Sequence, residues 1–323
     1  MLECPRAGGS FGAVNEDRGR EWSEGTSDDL VADAHARGVA RAGTRMVADW
    51  VEQGLLDRPR PRPAAANGTE PRVFPPSQRD LFTRLLAARE RPVPGRVGQR
   101  SLVRVVLYVW LIDDDVVPFA QARRALRTYA RSAGRLTAVR SRETARAVVE
   151  ELAHPSAGAR QRRAAQVAVE ECERTGRLDR ERLTSVLTDL CSPWPAGPGA
   201  PKVERARSGP FGPASVQHYL ARWQATRRTI GHLRQAETDE ATLDRARMAY
   251  RRNWADYQAS RAAWAAGDGA LAGCFADLAT VEGRATDAVN AFVDRLADEL
   301  GLLTAGTPAA DAIGSRRAYR QVS

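Results

Sequence analysis

Arginine is the residue type whose number and spacing carry the most chemistry in this chain. The 323 residues hold 49 Lys+Arg against 40 Asp+Glu, a net charge of +9, and Lys202 is the one lysine. Lysine and isoleucine (Ile112, Ile230, Ile313) are scarce together, as in GC-rich bacterial coding, so the arginine total alone says little about partners. Its placement says more. Residues 93–165 carry 14 basic and 6 acidic side chains, net +8, whereas 1–26 carry −2, 27–92 carry +2 and 166–323 carry +1. Within the rich segment Arg123, Arg127, Arg131 and Arg135 recur every fourth residue, with Arg124 adjacent, and Arg96, Arg100 and Arg104 form a shorter series. On a helix each series is one stripe of guanidinium groups. Arg58, Arg60 and Arg62 alternate with prolines, and Arg72 follows. Guanidinium stripes suit phosphate and give salt-dependent affinity for nucleic acid. The plainer reading is a solvated face, or pairing with acids of the C-terminal helices.

Other chemistries find little footing. His35, His154, His218 and His232 form no H-x-x-x-H or H-E-x-x-H pair, and Cys4, Cys172, Cys191 and Cys274 form no C-x-x-C pair. They read as free thiols in a reducing compartment, not as a metal or redox site. Asp113-Asp114-Asp115 is a partial acidic box of the kind that holds magnesium on diphosphates. Its natural complement, Asn253 to Ala262, lacks the second acid and the closing Glu, so Asp115 reads as a cap before Pro118. No nucleophile elbow, P-loop or dinucleotide fingerprint occurs. No enzyme, cofactor or metal is expected.

The elements that would position the arginines begin at Thr26. Thr26-Ser27-Asp28-Asp29-Leu30 is a helix start, with Thr26 or Ser27 as N-cap and two acids in the first turn. Leu30, Val31, Ala34 and His35 mark one face, and Gly38 ends the helix. A second helix is expected from Thr44 to Gln53 with an apolar face of Met46, Val47, Trp50 and Val51. Gly54 is its left-handed C′ residue, and Leu55 and Leu56 fold back inward. That arrangement leaves Thr44, Arg45, Ala48 and Asp49 pointing outward. The Pro-Arg steps cannot be helical. Asn67-Gly68 is a hairpin signal, so 57–74 reads as a two-stranded wing. Pro76 opens a third helix with a face of Leu81, Phe82, Leu85 and Leu86.

The strings A-H-A-R-G-V (34–39) and M-V-A-D-W-V-E-Q-G-L-L (46–56), an arginine-proline wing and R-V-F-P-P (72–76) together resemble the winged helix-turn-helix of MerR-type regulators. The related AlpA/excisionase domains are similar too. The likeness covers residues 26–91. It implies a helix, 44–53, that enters the major groove of double-stranded DNA. The DNA contacts it implies are Thr44, Arg45, Ala48 and Asp49 on that helix and Arg58, Arg60, Arg62 and Arg72 on the wing. Arg45 would read guanine or hold a phosphate. Arg123, Arg127 and Arg131 would add backbone contacts.

The remainder reads as helices at about 98–113, 119–130, 141–153, 158–175, 179–190, 214–236, 239–266 and 269–303. The expected fold is mainly α: a disordered arm (1–25), a winged helix-turn-helix with a short β-hairpin (26–92), a helical region with the basic stripe (93–191), a Pro/Gly-rich linker (192–213), an antiparallel bundle (214–304) and a flexible tail (305–323). Asp239 and Asp268 are expected bundle caps. Tyr219, Trp223, Tyr250, Trp254, Tyr257 and Trp264 gather in the bundle and read as core or a homodimer interface, with a small-molecule effector pocket as the less favoured use. No apolar run is long enough to span a membrane and no secretion signal is read, so a cytoplasmic protein is expected. The functional expectation is a sequence-specific, DNA-binding transcriptional regulator. The alternative is a helical protein–protein interaction module.

Overall fold

The computed structural model describes residues 22–61, 72–90, 99–113, 115–134, 138–154, 156–191, 213–265 and 281–303. Among them are eleven α-helices and no strand. The chain forms two compact units. One runs to Tyr129 and takes in Thr280–Thr286; the other covers Ala130–Ala279 and continues from Asp287.

In the first unit, α1 (Ser27–Ala36) starts with a complete capping box. The Thr26 hydroxyl accepts from the Asp29 N–H at 3.2 Å, and the Asp29 carboxylate accepts from the Thr26 N–H at 2.8 Å. Two of the orphan donors at the helix start are thereby satisfied. Leu30 and Ala34 are fully buried, Val31 is half-buried, and His35 is exposed rather than part of the apolar face. Its Nε2 instead reaches the Ala42 carbonyl at 2.9 Å and closes the turn before α2 (Thr44–Gln53). Trp50 is fully buried and meets Phe82 edge-on at 5.2 Å. Leu55 and Leu56 are fully buried as expected. So are Phe82, Leu85 and Leu86 on α3 (Pro76–Glu90), with Leu81 at 2% exposure.

The expected two-stranded wing is not found among the described residues. Arg60 and Val73 exchange both backbone hydrogen bonds, at 2.8 and 2.9 Å, and this is a single isolated bridge. The next hydrogen-bonded pair outward would oppose Arg58 to Pro75, which has no N–H to give. Phe74 pairs on its other side with Gly25, at 2.7 and 3.1 Å, again as one bridge. Asn67, Gly68 and Arg62 lie outside the described residues.

The unit is completed by α4 (Gln99–Ile112) and α5 (Phe119–Ala133), the latter crossing into the second unit at Ala130. Most described residues of α4 are buried, as expected of a helix that is apolar nearly all round. Asp113 accepts from the Asp115 N–H at 2.9 Å, so Asp113 closes the turn that Asp115 was expected to cap.

The second unit holds α6 (Ala138–Leu152), α7 (Ala159–Thr175), α8 (Arg180–Cys191), α9 (Pro213–Gln235), α10 (Glu240–Ala265) and most of α11 (Val281–Glu299). Val149, Val169, Leu183, Leu187 and Leu220 form a core that joins α6 to α9. Asp239 caps α10 by accepting from the Thr242 N–H at 2.6 Å. Arg245, near the start of α10, pairs with Glu299 at the end of α11 at 2.9 Å. Described α11 begins at Val281; Asp268 lies outside the described residues.

Candidate nucleic-acid interface

The sequence of α2 makes a two-faced helix. Val47, Trp50 and Val51 are buried and Met46 is half-buried, while Thr44, Arg45, Ala48, Asp49 and Glu52 are exposed. Its start breaks the rules that α1 obeys. The N-cap is Gly43, which offers no side-chain acceptor, and the first turn holds no acid but does hold Arg45. A cation there opposes the positive end of the helix dipole. Uncapped N–H groups and an arginine at one helix end make a locally positive, hydrogen-bond-donating surface. Departures from local optimality of this kind are expected where a site is built.

The C-terminal end of α2 is held on both sides. Gly54 adopts φ +78°, and a Cβ there would lie 2.3 Å from the Ala125 backbone nitrogen, so α5 crosses against bare backbone. Arg124 of α5 donates from Nε to the Val51 carbonyl and from Nη2 to the Leu56 carbonyl, both at 3.2 Å, and pairs with Asp57 at 3.1 Å. Gln121, fully buried, donates to the Leu55 carbonyl at 3.0 Å. Gln78, 1% exposed, accepts from the Asp57 N–H at 2.8 Å and donates to Gln121 at 2.9 Å and to the Val116 carbonyl at 2.8 Å. Of the carbonyls that the end of α2 leaves without helical partners, Val51's is thus bonded by Arg124 of α5 and Trp50's by the Leu55 and Leu56 N–H groups, while Gln78 and Gln121 bond the chain that follows the helix. At the other edge of the unit, Arg79 grips Asp33 with two hydrogen bonds (2.6 and 3.0 Å) and lies 5.1 Å over the Trp22 ring. The hydrogen bonds to Asp33 raise its affinity for its proton above the ordinary arginine value.

Gln78, Gln121 and Arg124 are structural residues that reasoning from motifs and apolar faces misses. A signal is present for the two glutamines. Gln78 falls in step with Leu81, Phe82 and Leu85, and Gln121 in step with Ala125, so each is a polar residue on an apolar stripe.

The remaining expected contacts are placed as follows. Arg58, Arg60 and Arg72 are exposed beside the Arg60–Val73 bridge, and among the described residues no carboxylate pairs with them. On α5, Arg123 and Arg131 are exposed and Arg127 is half-exposed. Arg135 lies outside the described residues. Arg104, from the shorter series, is half-buried with its guanidinium 5.8 Å over the Tyr129 ring, a packing role.

Elsewhere, no cluster of His, Cys, Asp or Glu suited to a metal occurs among the described residues. Tyr250 is fully buried and stacks on Trp254 at 6.0 Å, while Tyr219 and Trp223 pack against the α6–α9 core. A groove of about 650 Å³ is lined mainly by polar residues of α8, among them Arg180, Thr184 and Asp189, and by Gln217 and Leu220 of α9. None of those four aromatic residues lines it. Cys191 is buried and its thiol is pushed up to about 12 by loss of water; burial raises Cys172 as well, against the opposing charge of Arg227. Among the described residues, no helix is long and apolar enough to cross a membrane. Comparison with protein-family models, curated proteins and solved structures finds no match to the chain.

Proposed function

We propose that this chain is a sequence-specific binder of double-stranded DNA and a transcriptional regulator of MerR-like type. α2 would lie in the major groove, and the arginines of the bridged arms would lie on the backbone. The observation that carries this reading is the division of α2. Its inner face is sealed into the core by Val47 and Trp50, while Thr44, Arg45 and Ala48 stand in solvent in its uncapped N-terminal half and Asp49 continues that exposed face. A recognition helix needs that arrangement, because base edges are reached by the outward residues near its start. Arg58, Arg60 and Arg72 supply exposed charge for phosphates, which position the helix without reading sequence. The Arg123, Arg127 and Arg131 stripe would extend the backbone contact.

Arg45→Glu tests the reading. In gel-shift titrations with fragments of the source genome at two salt concentrations, the variant should lose specific complexes while circular dichroism stays unchanged. Persistent binding at wild-type affinity would remove α2 from the interface. The second reading, a protein–protein interaction module, draws on Asp49 and Glu52, two exposed carboxylates on the helix meant to approach a polyanion. A wild-type chain that shifts no duplex at low salt would favour it.

A further inference from the structure

The exposed face of α2 carries one cation, Arg45, and two anions, Asp49 and Glu52. A helix that only clamped phosphates would be selected against those anions, since each repels the backbone it approaches. Asp49 therefore needs its own explanation. It lies one turn after Arg45 on the same face, and both side chains are exposed. Among the described residues neither has an ion-pair partner, including each other. Their order, cation first, is the less favourable one for an intrahelical pair. Asp49 does not cap α2 and lies too far along it to meet the dipole's positive end. It stands exposed and, among the described residues, makes no capping hydrogen bond, and an ionised carboxylate is a pure hydrogen-bond acceptor.

In the major groove the base edges that an acceptor distinguishes are amino groups, and a carboxylate fits the cytosine N4 amino donor, while arginine fits the guanine O6 and N7 acceptors in bidentate fashion. Side chains at i and i+4 stand about 5–6 Å apart at Cβ, which spans one or two base-pair steps at about 3.4 Å each. We infer that Asp49 is a specificity-determining residue: it accepts from a cytosine N4 amino group while Arg45 donates to a guanine one or two steps away, so that α2 reads a short G·C element. The inference rests on the DNA-binding reading and assigns its base preference. Glu52, in the last turn of α2, lies away from the end that enters the groove and supplies the matching control: the same charge on the same helix without the base contact.

The test is enrichment of bound duplexes from a random pool by the full chain, run in parallel for wild type, Asp49→Ala and Glu52→Ala. Base preference is a ratio within one pool, so it does not depend on the folded fraction. Wild type should enrich G·C pairs at neighbouring positions. Asp49→Ala should lose the preference at one of them by about 5- to 150-fold, the worth of one good base contact. Its affinity for a duplex lacking the element should stay level or rise, because a repelling charge has gone. Glu52→Ala should keep every preference. The inference is overturned if Asp49→Ala retains the wild-type preferences, or if both variants change alike, since either result makes Asp49 a surface charge. Loss of all binding by Asp49→Ala also counts against it, because one base contact has no share in the phosphate contacts. If wild type enriches no sequence, the DNA-binding reading itself falls, which is a different outcome from a wild-type preference that Asp49 does not control.

Discussion

The contact between α2 and α5 makes a quantitative prediction through two glycines. Gly38 and Gly54 both adopt left-handed backbone, at φ +85° and +78°. An alanine at either position meets the same intrinsic penalty, about 1–2 kcal/mol for an L-residue in that region. Their surroundings differ. A Cβ on Gly38 meets nothing within 4 Å, whereas one on Gly54 would sit 2.3 Å from the Ala125 nitrogen and 2.8 Å from its Cα. Those are backbone atoms and cannot swing aside, so α5 must move and strain the hydrogen bonds of Gln121 and Arg124. Forcing extra atoms into a packed site costs about 1–3 kcal/mol. Gly38→Ala should therefore cost about 1–2 kcal/mol and Gly54→Ala about 2–5 kcal/mol, the sum of both effects. Amide hydrogen exchange on the full chain reads this locally, at the Leu55 N–H bonded to the Trp50 carbonyl at 2.8 Å. Equal loss of protection in the two variants would refute the close crossing, and with it the idea that α5 fixes the end of α2.

Trp50→Ala should cost about 3–5 kcal/mol and abolish the cooperative unfolding of the first unit, as followed by urea denaturation; a drop in stability below about 1 kcal/mol would contradict its place in the core. Triple replacement of Arg123, Arg127 and Arg131 by alanine should weaken binding to all duplexes alike and lower the log–log salt slope by about 0.9 for each phosphate no longer neutralised. If those arginines serve the fold instead, the same protein binds normally and melts earlier. Cys191 in the native chain should resist alkylation at pH 8 and react after denaturation, as read by peptide mass spectrometry. Its thiol is pushed up to about 12, so the reactive thiolate is scarce until the group is exposed or the pH rises towards that value.

What the sequence discloses about this fold is local. α2 is legible because Val47, Trp50 and Val51 repeat at helical spacing and Gly54 follows where a left-handed residue ends the helix. The capping box of α1 is legible for the same reason: Thr26 and Asp29 are three residues apart. The wing is legible only in part: the Asn67-Gly68 turn signal points to a hairpin, while the described residues show a single Arg60–Val73 bridge, and a ladder continued from it towards Arg58 meets Pro75, which has no N–H to give. The tethering of α2 is illegible because Arg124 reaches Val51 and Asp57 across 73 and 67 residues. No periodicity distinguishes a helix-surface arginine from one that turns back to cap a distant helix.

The single bridge between Arg60 and Val73 also has a bearing on solubility. Short extended segments with open edges recruit strands from other copies of a chain, and natural proteins blunt such edges with proline and charge. Here Pro59 and Pro61 flank Arg60, Pro75 and Pro76 follow Phe74, and the neighbouring side chains Arg58, Arg60 and Arg72 are exposed cations. A second chain approaching the Arg60 arm would find no donor at either neighbour of Arg60 and would meet repulsion from its own arginines. The Phe74 side is already taken by Gly25. The prolines that flank Arg60 and the arginines around it thus leave the described arm an edge that offers a second chain neither backbone donors nor opposite charge.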